Sequence, residues 1–158
     1  MPHCVILYTP NLEAKTDVGV LCRALADEML VIRDEEGKQV FPTGGTRVLA
    51  YPAAHYAVAD GKGDYGFMYV NVRMGGGRSE AVKKAAGDRL LAVVQRHFAP
   101  IFDQELVGIT LQIDESAGQV YDAKHSTLHP LFVIPAQAGI QDGAQRLPGR
   151  PGSPPARG

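Results

Sequence analysis

Cysteine is nearly missing from this chain, with two residues, Cys4 and Cys22, among 158. Two scattered thiols form neither a redox CxxC nor a zinc-ligand spacing. They are expected to be free thiols in a reducing compartment, the cytoplasm. An excess of one charge is also lacking. Sixteen Lys and Arg stand against 17 Asp and Glu, which argues against nucleic acid or an anionic membrane as the main partner. No apolar run approaches the roughly 20 residues of a bilayer span. The amino terminus lacks the basic start, apolar stretch and small-residue cleavage site of a secretory signal. "GGGRSE" (75–80) lacks the lysine and the spacing of a P-loop, so nucleotide binding is not expected. His125 and His129 have the spacing of a helical metal pair, but Pro130 argues against a helix there, and no metal site is expected. His3 and His55 read as structural or surface histidines, and "RDEE" and "DES" as solvated charge. No carboxylate pair stands out as an acid–base couple.

What is present is a soluble chain long enough for one domain, followed by a segment of different character. Proline and glycine supply ten of the 26 residues in "VIPAQAGIQDGAQRLPGRPGSPPARG", a level at which disorder is the default. The expected domain is therefore 1–132, with 133–158 a disordered tail that takes no part in the chemistry. The opening of the tail, "VIPAQAGIQ", looks like translated intergenic repeat, as if a readthrough had passed an older stop codon.

Within the domain one pattern occurs twice. Residues 2–8 are a short apolar run suited to a buried strand. A helix follows, capped at Thr16 or Asp17, with Val18, Leu21, Cys22, Leu25 and Met29 on one face. After the charged loop "RDEEGKQVFPTGG" comes a second strand, interrupted at Pro52. The second round begins after the turn "ADGKGD". "YGFMYVNVRM" alternates, with Met68, Val70, Val72 and Met74 on one face and Tyr65, Phe67, Tyr69 and Asn71 on the other. Ser79 then caps a helix that carries Glu80 in its first turn and is expected to stop at Pro100. "ELVGITLQID" is the last strand. Right-handed crossovers place both helices on one face of a four-stranded sheet, an α+β arrangement of two β-α-β units. The other face is left uncovered. With Ile109, Leu111, Ile113 and the third strand's aromatics assigned to it, association with other subunits is expected.

Three residues invite chemistry. Pro2 stands at a strand mouth, where proline offers no N–H to a ladder. Once Met1 is removed, Pro2 carries a free secondary amine. An ordinary α-amino group titrates at about 7.7–8.0, and nearby positive charge with partial burial lowers that value, giving a base for neutral pH. The plainer reading is a chance residue that aids methionine removal. Arg47 in "GGTR" and Arg78 in "GGGR" each follow glycines at an element boundary. A guanidinium offers two parallel donors to a carboxylate, and Arg78 also precedes a helix start, where free N–H groups attract anions. The plainer reading of each is a solvated arginine beside a turn.

In order and spacing, "MPHCVILYTPNL", "FPTGGTR", "ADGKGDYGF" and "MGGGRSE", followed by "RHFAP" and "LHPLF", resemble the 5-carboxymethyl-2-hydroxymuconate isomerases of the tautomerase superfamily. The resemblance covers residues 2–132. It implies a homotrimer of paired β-α-β units with active sites near subunit boundaries and no metal or organic cofactor. It implies Pro2 as catalytic base, with Arg47 and Arg78 as the functional, substrate-binding arginines. The implied substrate is a dienol di- or tricarboxylate from the degradation of homoprotocatechuate and related aromatics, in which a proton moves between carbon atoms. There are departures. Leu7 stands where members often carry glutamate, Cys4 where they carry an aromatic or larger apolar residue, and "VIRDEEGKQ" (31–39) is longer than usual. Two other readings share the fold. One is an enzyme for another small unsaturated acid: a different tautomerase, a decarboxylase or a dehalogenase. The other is a non-catalytic trimer that binds a small acid or a protein partner, for which a retained Met1 would be the sign.

Overall fold

Alternation in the strands and three-and-four spacing in the helices give two strand–helix–strand units. The computed structural model describes residues 3–118 and 120–132. The first unit is β1 (His3–Tyr8), α1 (Val18–Val31) and β2 (Val48–Pro52); the second is β3 (Tyr65–Gly75), α2 (Glu80–Phe102) and β4 (Leu106–Ser116). Strands within each unit run parallel. The units join antiparallel through β1 and β3, in the order β2-β1-β3-β4. Pro2 and the expected tail at 133–158 lie outside the described residues.

Both helices start where their caps stand. The Asp17 side chain accepts from the Val20 N–H at 3.0 Å and Ser79 from the Val82 N–H at 3.2 Å, each satisfying a donor that the first turn leaves unpaired. The helices cover one face of the sheet. Ile6, Met68, Val70 and Val72 meet Leu21, Leu25, Met29, Leu90, Val94 and Phe98 there, all at zero exposure. Each such side chain contributes about 1.5–3 kcal/mol by leaving water. Gly66 is part of this packing, since a Cβ on it would stand 2.5 Å from Leu12 Cδ2.

Two expectations need correction. Ile109, Leu111 and Ile113 do not belong to the uncovered face. The β3–β4 register pairs them with Met68, Val70 and Val72, and directly paired residues share a face, so they lie against the core under the helices. Alternation within β4 shows that one set faces inward, and the partner strand decides which. The open face instead carries Leu7, Leu49, Tyr51, Tyr65, Phe67, Tyr69 and Leu106. Nor does α2 stop at Pro100; it runs on to Phe102. Proline so near the end of a 23-residue helix removes one hydrogen bond from a turn whose carbonyls are losing their partners anyway.

Candidate active site

Strand direction brings the sequence candidates to one end of the sheet. β1 and β2 are parallel with Cys4 opposite Val48, so Arg47, one residue before Val48, lies beside the start of β1. Its carbonyl accepts from the Cys4 N–H at 2.9 Å. β3 runs the other way and ends there, with Arg73 opposite His3. The turn that leads to Arg78 follows directly. Pro2, next in the chain before His3, is outside the described residues.

Backbone carbonyls hold both arginines. Arg78 donates from Nη1 to the Gly75 carbonyl at 2.8 Å and from Nη2 to the Val40 carbonyl at 2.5 Å. Arg47 donates from Nη1 to the Gly45 carbonyl at 3.1 Å. A guanidinium has five N–H donors and no acceptor, so these carbonyl bonds use part of its donor set and orient each group. The turn before Arg78 is itself pinned. Gly77 has a φ of +90°, a conformation that glycine takes at no steric cost, and its N–H donates to Glu115 Oε1 at 3.0 Å. The other Glu115 oxygen pairs with Lys83. Ser79 donates to Glu35 across the turn.

Guanidinium charge stands beside the start of β1. His3 titrates below its ordinary value, first because it is partly buried and then because positive charges, Arg47 and Arg73 among them, oppose its protonation. Cys4, the next residue, is buried on the helix side. Its thiol is pushed up to about 12 by burial, with Cys22 adding a smaller effect, so it is no nucleophile at neutral pH.

Sequence reasoning named Arg47 and Arg78 at element boundaries, and both stand at them. It missed Arg73, although the alternation that put Tyr69 and Asn71 on the open face carries on to that residue. It also missed the Val40 carbonyl, since a backbone carbonyl carries no residue-type signal. A cleft of about 520 Å³ lies on the open face beside this end, lined by His3, Val5, Leu7, Leu49, Tyr69, Asn71, Arg73 and Asp114. Asn71 donates to Asp114 at 2.7 Å, and Gln112 to the same carboxylate at 2.8 Å. Leu7 lines the far part of this cleft. Four strand steps from His3 put it about 13 Å away along β1. Among the described residues no group of three or more His, Cys, Asp or Glu is placed to hold a metal ion, and no helix is long and apolar enough to cross a membrane.

The likeness to known proteins covers the same residues. Residues 2–132 match the model of the family described as 5-carboxymethyl-2-hydroxymuconate isomerase. A crystal structure of 5-carboxymethyl-2-hydroxymuconate delta-isomerase is similar at 56% identity and a TM-score of 0.80, over 85% of this chain and 94% of that one. A 5-carboxymethyl-2-hydroxymuconate isomerase from Deinococcus radiodurans R1 is similar at 32% identity and a TM-score of 0.73, over 84% and 95% of the two chains. The 5-carboxymethyl-2-hydroxymuconate Delta-isomerase of Escherichia coli is 24% identical over 132 residues, 84% of this chain and 99% of that protein. The family match runs from the residue before β1 to the last described residue and so takes in both β-α-β units whole: the chain belongs to the 5-carboxymethyl-2-hydroxymuconate isomerase family, within the tautomerase superfamily.

Proposed function

We propose that this isomerase acts on 5-carboxymethyl-2-hydroxymuconate or a similar dienol carboxylate of aromatic-compound catabolism, with Pro2 as general base and Arg47 and Arg78 as its carboxylate-binding arginines. In this reading the neutral Pro2 amine takes the proton of the 2-hydroxyl group. The O–H electron pair becomes the carbonyl, the conjugated double bonds shift along the chain, and Pro2 returns the proton to a carbon further along it. One arginine holds a carboxylate and the 2-oxygen; the other holds the distal carboxylate. No oxidant or cofactor enters the balance. The Arg47 and Arg73 guanidinium groups, which oppose protonation of His3, act in the same sense on an amine one residue away, lowering its pKa, and they stabilise the enolate as it forms. The placement of Arg47 and Arg73 beside the start of β1 is the observation that carries the proposal.

The span of the family match supports taking residues 2–132 as the catalytic unit, with 133–158 outside the chemistry. The apolar open face supports association with further copies of the chain, in this reading as a homotrimer, and the two free thiols fit a reducing cytoplasm.

The test pairs an intact mass with an ultraviolet assay for ketonisation of 2-hydroxymuconate. The expected mass lacks Met1. Arg47→Ala and Arg78→Ala are each expected to lower kcat/KM by about 10²–10³, the scale of losing one group that stabilises transition-state charge. Pro2→Ala falls less, because a primary amine remains. A retained Met1 in active protein, or arginine variants as active as the parent, would overturn the assignment. A processed but inactive protein would turn the substrate proposal toward another small unsaturated acid.

A further inference from the structure

We propose that Gln39 is a positioning residue that holds Arg47 and Arg78 in one fixed arrangement through the α1–β2 connection, an inference that rests on reading both as substrate-binding arginines. This connection is built rather than loose. Arg33 and Gln39 form an antiparallel bridge, and the Val40 N–H donates to the Ile32 carbonyl at 3.0 Å. At the tip, Asp34 Oδ1 accepts from the N–H groups of Glu36 and Lys38 at 3.0 and 2.8 Å. At the base, Ile32, Val40 and Phe41 are buried.

Gln39 is half-buried at that base and ties three parts together. Its Nε2 donates to the Leu30 carbonyl at 3.0 Å, one of the last carbonyls of α1, which the helix itself leaves unpaired and which also receives Arg33 Nη1 at 2.7 Å. The same Nε2 donates to Thr43 Oγ1 at 3.2 Å. Thr43 opens the short 3-10 turn Thr43–Gly45, whose Gly45 carbonyl receives Arg47. The residue after Gln39 is Val40, whose carbonyl receives Arg78. The two arginines come from different β-α-β units, yet both rest on carbonyls within six residues of Gln39. Glu35, from the tip of the same loop, also accepts from Ser79 beside Arg78.

A substrate with two carboxylates needs both guanidinium groups at one separation. A substrate with one carboxylate does not. Gln39→Ala is therefore expected to lower kcat/KM on 2-hydroxymuconate by about tenfold, since small misplacements of binding groups are costly, and to change turnover of the monocarboxylate 2-hydroxypenta-2,4-dienoate by less than about threefold. In an Arg78→Ala background the same substitution should cost less than about twofold, because the two changes remove one shared interaction. Thr43→Val removes the acceptor and keeps the shape. It should reproduce part of the loss, and it keeps the question open to test if Gln39→Ala fails to fold. Equal losses on both substrates, additivity with Arg78→Ala, or no effect of either substitution while the arginine variants are crippled would each overturn the role of Gln39. Full activity of Arg47→Ala and Arg78→Ala would instead remove the reading on which it rests.

Discussion

Cys4 sits one residue into β1, and its surroundings decide what it does. It is packed under the helices, and burial pushes its thiol up to about 12. Native protein at pH 8 should therefore leave Cys4 unlabelled by iodoacetamide while the half-buried Cys22 takes the label slowly. Peptide mass spectrometry reads the two sites separately, and labelling of Cys4 ahead of Cys22 would contradict the burial argument. Leu7 tells a different story at the same scale. It is 48% exposed on the open face, paired with Tyr51 and Tyr69, and about four strand steps from the arginine end. A change of side chain at Leu7 therefore alters the open face and its cleft more directly than the proposed grip of Arg47 and Arg78 on a carboxylate.

At the scale of elements, the end of β4 holds the turn that delivers Arg78. The Lys83 ammonium first and the Gly77 N–H second keep the Glu115 carboxyl below the usual glutamate range. A folded-state pKa below the unfolded one means stability that is present above about 4.3 and lost as pH falls through the folded value. Glu115→Gln should thus melt lower than the parent at pH 7, and the two melting curves should converge in acid. A gap that stays constant across pH would show that Glu115 acts by packing and not by charge. The elements themselves were legible in the sequence, because Asp17 and Ser79 are good caps and because Met68, Val70 and Val72 alternate with aromatics. The face of β4 was not, since period two leaves the choice of side to the register with β3. The grip on Arg78 was equally hidden: its acceptor is the carbonyl of Val40, 38 residues away in sequence, and a backbone carbonyl carries no residue-type signal.

For the whole molecule the open face is the unsettled surface. Register makes it continuous: Tyr51, Leu7, Tyr69 and Thr110 form one row across the four strands, and Leu49, Val5, Asn71 and Gln112 the next. Phe67 is 37% and Leu106 63% exposed on the same face. Apolar side chains in neighbouring rows make a patch, whereas Val20 and Val31 on α1 are exposed singly, which needs no explanation. β4 adds an unpaired edge eleven residues long, the kind of edge that a second chain covers. Closed assemblies bury such surfaces by symmetry, and the proposed trimer does so around one axis. Sedimentation equilibrium should therefore return three copies of the 16.9 kDa chain. Leu7→Lys puts a charge in the middle of the patch and should give monomers, while Val20→Lys on the helix side should leave the mass unchanged. A wild-type monomer at micromolar concentration, or a Leu7→Lys protein that stays trimeric, would mean that this face is not the interface.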